Sequence, residues 1–185
     1  MLLDELESDP RLSVPQMGRW HERNRGHPRY ALTLAEAIVS GSPRLELAGA
    51  WMLRRWLKEG GLPTAAAWAI LIDGLDGVRS HLARLTLCQL WVEQPERMET
   101  AVEEVAAFLR RGLGDPKATV RVCSLNALWL LAQRHPEFRA GVSAALRRAK
   151  RDPEACVQAR LRRMGVVPYP PRKKPAARSA AGRSE

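Results

Sequence analysis

A chain of 185 residues that is 45% hydrophobic is long enough to bury one continuous core. Its formal charge of +10 is unevenly placed: residues 1–146 hold 18 Lys/Arg against 17 Asp/Glu, and residues 147–185 hold 12 against 3. The apolar-rich, uncharged run at 62–72 is too short to span a bilayer, and the acidic start Met-Leu-Leu-Asp-Glu-Leu-Glu lacks the basic region of a secretory signal. Cys88, Cys123 and Cys156 are too far apart for a close metal-ligand motif and read as small core residues of a reducing compartment. The expectation is a cytoplasmic protein.

Residues 1–25 read as a degraded first unit whose second helix, about 14–25, carries Trp20. Helical periodicity and proline punctuation then predict four helix pairs: 28–41 with 43–59, 63–75 with 76–93, 95–113 with 115–134, and 136–150 with 153–164. Ser42-Pro43, Asp115-Pro116 and Asp152-Pro153 read as an N-cap followed by a first helical residue, because proline's fixed φ suits the first turn and its missing N–H costs nothing there. Asp9-Pro10 is a further copy. Pro28, Pro63, Pro95 and Pro136 are expected to open the other helices. No strand-like alternation stands out. From residue 166 the chain is rich in Pro, Arg, Ala and Ser and reads as a disordered basic tail containing Arg172, Lys173 and Lys174.

The units resemble one another. Residues 109–121 and 146–158 align without a gap at an offset of 37, with seven of thirteen positions identical, including the Asp-Pro-x-x-x-Val element. Trp51, Trp91 and Trp129 recur at intervals of 40 and 38, which suggests one repeated helix position. His27-Pro28 and His135-Pro136 mark a second repeated point, each followed by an aromatic at residue 30 or 138.

The run Asp115-Pro116…Val120-Arg121…Ser124…Ala127-Leu128 resembles the second helix of a HEAT repeat. The likeness spans about residues 9–164, is strongest at 95–134 and weakens in the first two units. It implies an all-α, right-handed solenoid of about four and a half helical hairpins over residues 1–165. It also implies a polar ladder of Asp and Arg between repeats, with Asp76, Asp115, Arg121 and Asp152 as members and Gln158 departing from the pattern. By the same likeness a protein partner binds on the concave face lined by the second helices. Trp51, Trp91 and Trp129 read either as spacers packed between repeats, the favoured reading, or as an aromatic stripe in that groove, and in the second case they are the candidate contacts together with Arg84 and Arg121. HEAT-like repeats are not tied to one activity.

No phosphate loop, zinc-protease motif, Cys-x-x-Cys pair or nucleophile elbow is present, so no catalytic residue, cofactor or metal ligand is assigned. The alternative is nucleic-acid binding, because the chain is similar in charge and tryptophan content to the HEAT-like alkylpurine DNA glycosylases. In that reading Trp68 with Asp73 or Asp76 is the nearest acid–aromatic arrangement, and Arg172, Lys173 and Lys174 contact phosphate or an acidic partner. The cluster from Arg19 to Tyr30 is open to the same reading, although Trp20 and Tyr30 match repeat positions and packing explains them without a ligand.

Overall fold

The computed structural model describes residues 2–8, 12–99 and 101–168. These are all-helical, with no strand among them. In chain order the helices are α1 Leu2–Ser8, α2 Val14–Asn24, α3 Tyr30–Ile38, α4 Pro43–Lys58, α5 Ala65–Gly74, α6 His81–Glu93, α7 Val102–Gly112, α8 Ala118–Arg134, α9 Arg139–Ala149 and α10 Ala155–Arg163. Short 3₁₀ turns at Leu75–Gly77, Pro95–Met98 and Pro136–Phe138 join some of them.

The helices pack in two rows. Helix α4 lies on α6, α6 on α8 and α8 on α10, while α1 lies on α3, α3 on α5 and α5 on α7. Pairs α3–α4, α7–α8 and α8–α9 tie the rows together. Helix α8 is surrounded by α6, α7, α9 and α10, which is why its sequence is apolar around most of its circumference. Most buried apolar residues form one continuous cluster, and Leu125, Ala145, Val157 and Leu161 form a second at the C-terminal end. No described helix is long and apolar enough to cross a membrane.

The proline marks do not all open a helix. At Ser42-Pro43 the proline is the first residue of α4. Pro95 and Pro136 open 3₁₀ turns, and α5 starts after Pro63 under a cap in which Thr64 Oγ1 accepts from Ala67 N at 3.2 Å. The Asp-Pro pairs depart from the expected N-cap geometry. Asp115 Oδ1 accepts from Lys117 N at 2.8 Å and Asp152 Oδ1 from Glu154 N at 3.0 Å, so each aspartate closes an Asx turn and the helix begins two residues after the proline. Asp76 does not cap α6 either; it lies in a 3₁₀ turn, and Ser80 caps the helix by accepting from Ala83 N at 3.3 Å. Asp9-Pro10 lies outside the described residues.

Helix α10 ends in a Schellman motif. Gly165, at φ 72°, supplies the left-handed residue, Gly165 N donates to Arg162 O at 3.0 Å and Val166 N to Leu161 O at 2.9 Å. This folds Val166 and Val167 back onto the C-terminal cluster, although they were expected to begin the tail. Arg172, Lys173 and Lys174 lie outside the described residues.

Candidate partner-binding face

The second helices α4, α6, α8 and α10 can be numbered from their first residues, Pro43, His81, Ala118 and Ala155. Their third positions are Leu45, Ala83, Val120 and Val157, all buried. Their fourth positions are Glu46, Arg84, Arg121 and Gln158, and each reaches a loop that precedes a second helix. Glu46 Oε2 accepts from Arg79 N at 2.9 Å and Ser80 N at 2.6 Å. Arg84 pairs with the buried carboxylate of Asp115 at 2.9 Å. Arg121 grips Asp152 with two bonds of 2.7 and 3.0 Å and donates to the carbonyls of Asp115 and Pro116. Gln158 donates to the carbonyls of Ala149, Lys150 and Asp152 in its own preceding loop.

This ladder fixes how one second helix sits on the next. It therefore commits Arg84 and Arg121, two of the candidate contact residues, to internal bonds. The Arg121 guanidinium holds Asp152 below the usual carboxylate range, and Asp152 raises Arg121 in return. Asp76 is outside this register. It is exposed and pairs with Arg111, while the equivalent loop is held by Glu46.

The tryptophans are not at one helix position. Trp51 is the ninth residue of α4, Trp91 the eleventh of α6 and Trp129 the twelfth of α8. At about 100° per residue, Trp91 turns inward while the other two turn outward. Trp91 is 0% exposed and meets Phe108 edge-on at 5.3 Å, so it offers no surface to a partner. Trp51 and Trp129 are half-buried against the core, and the Arg55 guanidinium lies 5.8 Å from the Trp51 ring centroid.

What recurs outward is a position sequence reading did not single out. The fifth residues are Leu47, Leu85, Val122 and Ala159, the first three half-buried and Ala159 exposed. Positions 2, 5, 9 and 12 share a helix face, which carries Trp51, Leu82, Val92 and Trp129 beside the polar Arg44, Gln89 and Thr119, while Asn126 at position 9 of α8 is buried. Leu82 is 43% exposed. The signal was available in the chain: an apolar residue directly after each ladder residue.

Charge on this face is largely spent. Arg54 and Lys58 both hold Glu93, which lies below its usual range through the Arg54 bond, and Arg55 holds Glu22 and Glu59. A group of cations near the C-terminal end is different, and one of them, Arg163, stands at position 9 of α10 on this same face. Arg147, Arg148, Lys150, Arg151, Arg160, Arg162 and Arg163 have no acidic partner among the described residues.

A third arrangement joins α2, α3 and the end of α4. His21, 0% exposed, contacts the Tyr30 hydroxyl through Nδ1 at 2.5 Å and Glu59 through Nε2 at 2.8 Å. Trp20 stacks on Tyr30 and Trp56 meets it edge-on, which places the aromatics of the Arg19–Tyr30 cluster in the core. Burial raises the Tyr30 phenol above its usual range. Arg55, followed by His21, pulls Glu59 down to about 2. Ligand atoms of His21, Glu22 and Glu59 lie within 4.8 Å of one another, a spacing compatible with a cation. Arg25 and Arg55 already contact both carboxylates, so two guanidiniums occupy the counter-ion role and the group is a structural clamp. Asp73 and Asp76, the acids of the glycosylase-like alternative, are both exposed.

Comparison with protein-family profiles, curated proteins and solved structures finds no match to this chain.

Proposed function

We propose that this chain is a HEAT-like α-solenoid of about four and a half hairpins that acts as a non-enzymatic scaffold and binds a protein partner through its second-helix face. The observation that carries this reading is the outward stripe of Leu47, Leu85 and Val122 at one helix position, flanked by Trp51, Leu82 and Trp129. Half-buried apolar side chains in register across neighbouring helices give a partner a dry contact centre with aromatic anchors. The two-row packing and the ladder through Arg84–Asp115 and Arg121–Asp152 support the repeat assignment.

Affinity capture from native cells tests the contact face. A Leu85→Arg/Val122→Arg variant is expected to lose the partners that wild type retains, while reversal of Arg172, Lys173 and Lys174 keeps them. Retention by a folded stripe variant would remove the reading.

Nucleic-acid binding is the second reading, favoured by one observation, the unpaired cations of α9 and α10. The paired state of Arg54, Arg55, Arg84 and Arg121 argues against a phosphate cradle on the second-helix face. A DNA mobility shift that persists without residues 166–185 and weakens steeply with salt would favour this reading over the first.

A further inference from the structure

Helices α7 and α9 flank a cleft of about 810 Å³ over α8. That volume is within the range of small-ligand pockets, about 300–1,000 Å³. Its accessible apolar lining comes from Leu113, Ala144, Ala149 and Pro153, with Phe138 and Val142, 8% and 6% exposed, beneath them. Arg110 crosses one wall with its guanidinium 5.8 Å from the Phe138 ring centroid.

The polar groups around the cleft do not balance. It is lined by five arginines and three acids; Glu103 holds Arg110, Asp152 is gripped by Arg121, and Glu137, largely exposed, contacts the His135 ring. Arg111 is held by Asp76. Arg148 and Arg151 remain, exposed on the opposite rim and without an acidic partner among the described residues. The chain's own terminal segment is an unsuitable occupant, because residues 169–185 carry five Lys/Arg and one Glu and would meet like charge.

The geometry points to a binding site for a small anionic amphiphile, its apolar body against Leu113, Ala144, Phe138 and Val142 and its anionic head between Arg148 and Arg151. The cleft is lined from α7, α8, α9 and α10 and shares no residue with the proposed partner stripe. A charged head paired with unspent guanidiniums gains charge-assisted hydrogen bonds that a neutral head cannot make.

Titration calorimetry with dodecanoate below its micellar concentration tests the site, with dodecanol as the neutral comparison. Wild type is expected to bind one dodecanoate and to bind dodecanol at least tenfold more weakly. Arg148→Glu/Arg151→Glu, both on the surface, should lose at least tenfold in dodecanoate affinity. Gly141→Trp should abolish binding. Gly141 lines the cleft within α9, and a Cβ there meets nothing within 4 Å, so a Trp is accommodated at the cleft mouth without displacing backbone. Replacing a helical glycine also favours the helix, and an unchanged circular dichroism melt is the control for folding. Absence of dodecanoate binding in wild type overturns the proposal. So does undiminished binding by the charge-reversed variant or by folded Gly141→Trp.

Discussion

At the residue scale, the fourth position of each second helix carries the most consequence per side chain. Arg121 is largely shielded and holds both oxygens of Asp152 together with two backbone carbonyls, so no water can replace its bonds at low cost. Arg121→Ala should lower unfolding free energy by about 2 kcal/mol, the range of hydrogen bonds to charged groups, as read by urea denaturation. A double-mutant cycle with Asp152→Ala should show the two losses to be strongly non-additive.

Glu59 gives a pH prediction. Its folded pKa, about 2, is below its ordinary 4.5, so the folded state favours the ionised form and binds fewer protons than the unfolded chain. Its stabilising contribution is complete above pH 4.5 and is lost as pH falls towards 2. Asp152, Glu93 and Glu99 are shifted in the same direction. Stability should therefore decline through that acid window, and Glu59→Gln should show a shallower decline in denaturant titrations at stepped pH.

The thiols should separate just as clearly. Burial pushes Cys88 up to about 12 and also raises Cys123, whereas Cys156 is exposed. Iodoacetamide labelling of the native protein, read by mass spectrometry, should modify Cys156 first and Cys88 only after unfolding. Early modification of Cys88 would show that α6 opens readily.

At the element scale, α3 and α4 approach so closely that Gly49 has no room for a side chain. A Cβ there would lie 2.9 Å from both the Leu34 carbonyl oxygen and an Ile38 side-chain carbon. Gly49→Ala should gain about 1 kcal/mol in helix propensity and lose about 1–3 kcal/mol to overpacking. The net expectation is a lower melting temperature. The tryptophans make a related point. Trp91→Ala, in the core, should cost about 3–5 kcal/mol, and Trp51→Ala, on the half-buried face, markedly less; paired thermal melts compare them.

At the scale of the whole molecule, stability should be greatest in the middle of the two rows. Helices α6 and α8 each have a neighbouring second helix on both sides, whereas α1 and α10 lie at the ends. Amide exchange should therefore be slowest in α6 and α8 and fastest in α1 and α10. Uniform exchange would mean that the rows open only as a unit.

Helical class was legible in the sequence because 3.6-residue periodicity and proline starts are local properties, and α4, α8 and α10 lie near their expected spans. The Asp115–Asp152 relation was legible because both occur in the same thirteen-residue pattern. The tryptophan register was not. An interval of 40 residues differs from the 38 between Pro43 and His81 by only two, but two residues turn a side chain by about 200° around a helix. The partnerships of Glu46 with the 79–80 amides, of His21 with Glu59, and of Arg148 and Arg151 with no acid are likewise decided by where distant segments meet. The sequence by itself determined which residues repeat and which segments coil. Tertiary packing alone decided which side chains face inward, which charges are spent and where a cleft remains, because those depend on distances between elements that no local pattern encodes.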